Sequence, residues 1–256
     1  MSYSLIHPVV MDHFNLDGIG SYSKILFLYQ YKLCSGIFGP EAMASENCNV
    51  ILTDHEKAPM LVNNKSPIEM WIKANDSSWC QVIYQLSHEM CHYAMRHNKT
   101  DKNYVLKWFE ETICEAFSIY SLNYFSEHWM ECCLGIVNPG YADSIRNYVT
   151  DIVSKKADYF TDDLVHSLSE CRTMEGLEFV EKFSEEERYL RFNERNHLYD
   201  LFKSHPDQIR LLLNYEKYAD KESMTIDFDR WIDDENGSEF LKSVSKIQPR
   251  IERRMN

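Results

Sequence analysis

Trp79-Cys80-Gln81-Val82-Ile83-Tyr84-Gln85-Leu86-Ser87-His88-Glu89-Met90-Cys91-His92 decides the reading of this chain, because two patterns run through it with one period. Trp79, Val82, Ile83, Leu86, Met90 and Ala94 recur at three- and four-residue steps, the apolar stripe of a helix with one buried face, and Asp76 or Ser77 offers an N-cap. The same period puts His88 and His92 four positions apart, on one face, with Glu89 beside them. This H-E-x-x-H pattern lets two imidazoles aim at one metal ion. A second periodic run, Val105, Trp108, Phe109, Ile113, Ala116, Phe117 and Tyr120, marks another helix beyond the polar connection 98–103. It carries Glu111, with eighteen residues between it and His92. Two helices joined by a short loop can converge on one ion, which makes His88, His92 and Glu111 the candidate metal ligands. Glu110 and Glu115 are the alternatives for the third position.

Three protein ligands leave one position of a tetrahedral metal for water, whose pKa the ion lowers, and Glu89 is placed to act as general base on it. At this point residues 68–120 resemble the gluzincin metallopeptidases, thermolysin-like and aminopeptidase-N-like, which take two ligands from H-E-x-x-H and a third from a downstream helical Glu. The spacing and the Trp108-Phe109-Glu110-Glu111 context are similar to the aminopeptidase-N type. The resemblance implies one zinc ion on His88, His92 and Glu111, Glu89 as catalytic base, and Glu115, four residues after the ligand Glu, as the carboxylate that holds a ligand His. It also implies that the strand before the motif helix is a sheet edge that aligns an extended peptide. No Gly-x-Met-Glu-Asn segment lies upstream, so endopeptidase action is expected over recognition of a free N-terminus. The class with a third His ten residues after the first does not fit: position 98 is Asn and His97 is one residue off register.

Short extended candidates at 50–53, 60–62 and 68–74 precede the motif helix, and 20–35 reads as a helix that backs them. Nearly everything after residue 104 reads as helix, over about 104–130, 140–157, 160–171, 175–203, 206–219 and 238–254, with Asn138-Pro139-Gly140 and His205-Pro206-Asp207 as breaks. The expected class is therefore α+β: a small zincin-like sheet with the active-site helix in a catalytic lobe over 1–135, and an all-helical lobe over 136–256 that closes the cleft. From the helical lobe, His197 and Tyr199 are the catalytic candidates for stabilising a developing oxyanion. Glu181 to Arg195 is dense in charge and reads as the solvated face of one long helix.

A formal charge of −13 and a pI near 5.2 argue against a nucleic-acid surface, which needs clustered cations. The one basic cluster, Lys242, Lys246, Arg250, Arg253 and Arg254, reads as cations at a helix C-terminus. Residues 1–8 carry no basic and apolar leader, and no apolar run approaches a bilayer's thickness, so a cytoplasmic, membrane-free protein is expected. The eight cysteines show no framework spacing and are expected to be reduced, with Cys91 and Cys114 at the helix contact. The function expected from these features is a zinc-dependent metallopeptidase acting on peptide or protein substrates. Two other classes stay open, a catalytically inactive zincin-like peptide-binding or interaction module and a zinc hydrolase of non-peptide amides or esters.

Overall fold

The computed structural model describes residues 13–98, 105–155, 168 and 171–251. Four strands, β1 (Phe14–Gly18), β2 (Cys48–Leu52), β3 (Met60–Val62) and β4 (Ile68–Ile72), form a mixed sheet in the order β1-β2-β4-β3. β1, β2 and β4 run parallel, and β3 folds back antiparallel onto β4. Along β4, Ile68, Met70 and Ile72 are buried while Glu69 and Trp71 between them are half-buried, the two-residue alternation of a sheet with one covered face. The strand before the motif helix is not the edge, as expected, but is paired on both sides. The edge on that side is β3, because the short connection 63–67 returns it along the open side of β4. β1 was not legible in the sequence, being five residues long with only Phe14 and Leu16 buried.

Helices α1 (Ser21–Phe38) and α2 (Trp79–Met95) pack on the covered face. Phe14 of β1 ties them to it, with ring centroids 5.1 Å from Phe27 of α1 and 4.9 Å from Tyr93 of α2. Asp76, read as a cap of α2, instead accepts hydrogen bonds from the amides of Tyr22 and Ser23 in the first turn of α1, at 3.3 and 2.7 Å. Gly20 permits this approach, since a Cβ there would come 2.3 Å from the Asp76 carboxyl carbon. The N-cap of α2 is Ser78, whose side chain makes no capping bond.

Helix α3 (Lys107–Glu127) is the axis of the remaining chain, packing against α2, α5 (Tyr141–Ser154) and α7 (Phe192–Ser204). Trp108, Phe109, Ile113, Cys114, Ala116, Phe117 and Ile119 are all fully buried, so α3 is covered around most of its circumference. A short α4 (Cys133–Val137) lies between α3 and α5. The long helix expected over 175–203 divides into α6 (Met174–Phe183) and α7, with a 3-10 turn at Arg188–Arg191 between them. There the guanidinium of Arg191 donates to the Ser184 carbonyl at 2.6 Å, satisfying an acceptor that a continuous helix would have used. The expected helix 206–219 is a 3-10 helix over Pro206–Lys217. A small hairpin, β5 (Ala219–Asp220) with β6 (Thr225–Ile226), and helices α8 (Phe228–Asp234) and α9 (Glu239–Val244) complete the fold.

The expected helix 238–254 stops early, since Pro249 disfavours helical geometry at Gln248 and the 3-10 turn after α9 ends at Ile247. The helix expected over 160–171 lies outside the described residues except for 168 and 171, as do Arg253 and Arg254 and most of the connection 98–103. One continuous apolar core runs from Phe14 to Ile247. No described helix is long and apolar enough to cross a membrane.

Candidate metal centre

The periodicity that builds α2 turns His88, Glu89 and His92 towards the first turn of α3, where Glu110 and Glu111 project. The start of α3 is fixed from a distance. Its first free amides, those of Lys107 and Trp108, donate to the two carboxylate oxygens of Glu181 in α6, each at 3.0 Å. Cys91 and Cys114, next to the cluster in sequence, are fully buried in α2 and α3. All eight cysteines are free thiols.

His88 Nε2 lies 3.2 Å from Glu111 Oε2, His92 Nε2 lies 3.2 Å from Glu111 Oε1, and the two imidazole Nε2 atoms are 3.2 Å apart. The donor atoms of the three residues thus fall within 4.8 Å of one another, the arrangement of a site that could hold one metal ion. Burial opposes a charge on His92, yet Glu111 and Glu110 outweigh it and hold its pKa well above the imidazole range. Burial likewise opposes ionisation of Glu111, and His92 and His88 outweigh it, holding that carboxyl well below its usual range.

Glu110 is the carboxylate that orients His92: its Oε1 accepts from His92 Nδ1 at 2.6 Å, which turns Nε2 towards the cluster. Glu115, to which the resemblance gave that role, is one turn further along α3 and fully buried. Its Oε1 pairs with Arg191 Nη2 at 3.2 Å and Arg188 Nε at 3.5 Å. It cannot orient a histidine because the turn of α3 it occupies faces the 184–191 bend. Glu89 is buried beside His88 and lines the cleft, and burial pushes its pKa up from the ordinary carboxylate value.

The cleft over the cluster holds about 650 Å³, within the usual range for ligand sites. Met60 and Leu61 of the edge strand β3 line it, as does Arg188. The Arg188 head is held by Glu115 and lies over the Tyr84 ring, 5.8 Å from its centroid. Neither His197 nor Tyr199 reaches the cleft. α7 turns them to its far side, where His197 Nε2 donates to the Ser243 carbonyl at 3.0 Å and Lys203 Nζ sits 4.2 Å from the centre of the Tyr199 ring.

Sequence reasoning missed Arg188, Glu110's partner Tyr215, and Glu181. The charged segment 181–195 is not a solvated face: Arg191, Glu194 and Arg195 are buried, at 0%, 2% and 2% exposure. A signal was present, since Arg188, Arg191 and Arg195 recur at helical steps among apolar residues such as Leu190, Phe192 and Leu198. No protein-family model, curated protein or solved structure matches this chain, so the chemistry of the site has to be read from its own geometry.

Proposed function

We propose that this protein is a zinc-dependent metallopeptidase of gluzincin type, acting within peptide chains. The observation that carries the reading is the convergence of His88, His92 and Glu111 beside a buried Glu89 at the floor of a cleft. Two imidazoles and a carboxylate suit zinc. Bonds of about 2.0–2.1 Å place tetrahedral donors about 3.3 Å apart, close to the 3.2 Å separations here. A zinc ion held there would supply a Lewis acid that polarises the scissile carbonyl and makes water a nucleophile near neutral pH.

The side chains of this chain do the rest. Glu89, its affinity for a proton raised by burial, takes the proton of the attacking water and passes it to the leaving amine. Glu110 keeps the proton of His92 on Nδ1. Arg188, whose terminal nitrogens have no hydrogen-bond partner among the described residues, donates to the carbonyl oxygen as negative charge develops, the part the sequence had given to His197 or Tyr199. β3 has one side unpaired among the described residues, and an extended peptide can add to it by main-chain hydrogen bonds, a mode that needs no free terminus.

The test is cleavage of a fluorogenic peptide library by zinc-loaded protein, beside a Glu89→Gln variant. Wild type should cut internal bonds, while Glu89→Gln keeps its zinc and loses about 10²–10⁴-fold in turnover. A variant that cleaves like wild type would remove Glu89 from the mechanism. Zinc-loaded wild type that binds peptides on β3 without cutting them would instead identify a non-catalytic peptide-binding module.

A further inference from the structure

The two ligand histidines are supported unequally. His88 Nδ1 is buried and has no hydrogen-bond partner among the described residues. His92 Nδ1 is bonded to Glu110, and the other oxygen of Glu110 accepts a hydrogen bond from the phenol of Tyr215. Tyr215 is fully buried, its ring 5.5 Å from that of Phe109, and it belongs to the 3-10 helix at 206–217, more than a hundred residues from the motif. Burial and the neighbouring Glu110 charge push its pKa well above that of an ordinary phenol, so the hydroxyl stays a donor. One residue earlier, the Asn214 side chain accepts from Asn98, just past the end of α2, at 2.9 Å. The segment therefore holds both helices of the site through two adjacent side chains, Asn214 just past the C-terminal end of α2 and Tyr215 at the first turn of α3.

We propose that Tyr215 is a positioning residue for the metal centre: its hydroxyl fixes the Glu110 carboxylate, which fixes the ring plane and tautomer of His92. The role is an addition to the proposed function and rests on its metal site. A lone carboxylate on the surface of α3 could rotate about its own side-chain bonds. With one oxygen on Tyr215 and the other on His92, Glu110 is held at both ends, and the imidazole presents Nε2 in a single direction. Since His88 Nδ1 has no comparable partner among the described residues, the orientation of the pair depends on this chain of three groups. It also links metal affinity to correct docking of the 206–217 segment against α1 and α2.

The test measures zinc dissociation constants by competition with a chromogenic chelator, for full-length wild type, Glu110→Gln, Tyr215→Phe and the double variant. Tyr215→Phe keeps the ring and its packing, so the fold is preserved while the hydroxyl is lost. Glu110→Gln should weaken zinc binding about 10–100-fold and Tyr215→Phe about tenfold, in the range of groups that orient metal ligands. Because Tyr215 acts through Glu110, the double variant should bind no more weakly than Glu110→Gln alone. The absorption spectrum of the cobalt-substituted protein should also change in Tyr215→Phe at saturating metal. Zinc binding in Tyr215→Phe equal to wild type, or a double variant showing the product of the two single effects, overturns the inference. Wild type that binds no zinc overturns the metal-site reading beneath it instead.

Discussion

The helix pair α2 and α3 and the segment 174–217 both contribute charged side chains to one cleft, yet they do so by different physics. In the pair, the helical period does the placing: His88 and His92 share a face because they are four apart, and Glu111 meets them because Trp108, Phe109 and Ile113 are buried. In the segment, tertiary contacts do it. Glu181 caps α3, Arg191 binds Glu115, Arg188 enters the cleft and Tyr215 reaches Glu110, each across about 70 residues or more of chain. Local periodicity thus builds the ligand set, and distant polar contacts orient it.

The sharpest way to break this contrast is at Glu115, the residue where the two regions meet. Removing its carboxylate leaves Arg191 buried without its counter-charge, at a cost of about 3–5 kcal/mol. Glu115→Ala should therefore lower the unfolding free energy by that amount, measured by urea denaturation. Its zinc affinity while folded should stay near wild type, unlike that of Glu110→Gln. If Glu115→Ala instead loses zinc at full stability, Glu115 orients a ligand after all and the assignment to Glu110 is wrong.

Arg188 comes next. Arg188→Ala should retain zinc and lose about 10²–10³-fold in kcat, the range for a donor aimed at developing charge. A variant with unchanged kcat would return the search to other cleft residues. His197→Ala is the matching control on the far side of α7. It removes a hydrogen bond to Ser243, worth about 1 kcal/mol, and should leave kcat unaltered.

Asp76 gives the smallest effect and a pH signature. Burial opposes its ionisation, but hydrogen bonds from Ser23 and Tyr22 outweigh that and hold its carboxyl below the usual value. A carboxyl with a depressed folded-state pKa contributes stability above its unfolded pKa, and that contribution is lost as pH falls through the folded value. Asp76→Asn keeps an accepting oxygen but removes a negative charge from the N-terminal end of α1, so it should cost about 0.3–1 kcal/mol at neutral pH, and the difference from wild type should vanish in acid. A difference that grows on acidification would contradict the capping role.

The legible part of the molecule was the part whose order is local. The α+β class, α1, α2 and α3 follow from apolar spacing, and the convergence of His88 and His92 with Glu111 from one motif and the resemblance it carries. β1 was hidden because five residues with two buried positions carry almost no pattern. The break between α6 and α7 was hidden because no Gly or Pro marks it; the Arg191 side chain makes it by taking the Ser184 carbonyl. The His-holding role expected of Glu115 falls to Glu110, because both lie about one turn or less from Glu111. Only the 184–191 bend, absent from any local pattern, decides which of them faces an imidazole and which faces an arginine.

The zinc content of purified protein should be determined by mass spectrometry for wild type, His92→Ala and Glu111→Ala. One zinc per chain in wild type, lost or sharply reduced in both variants, is the expected result. Wild type that takes up no zinc even after its addition would contradict the account, and zinc retained by Glu111→Ala at wild-type stoichiometry would remove Glu111 from the ligand set.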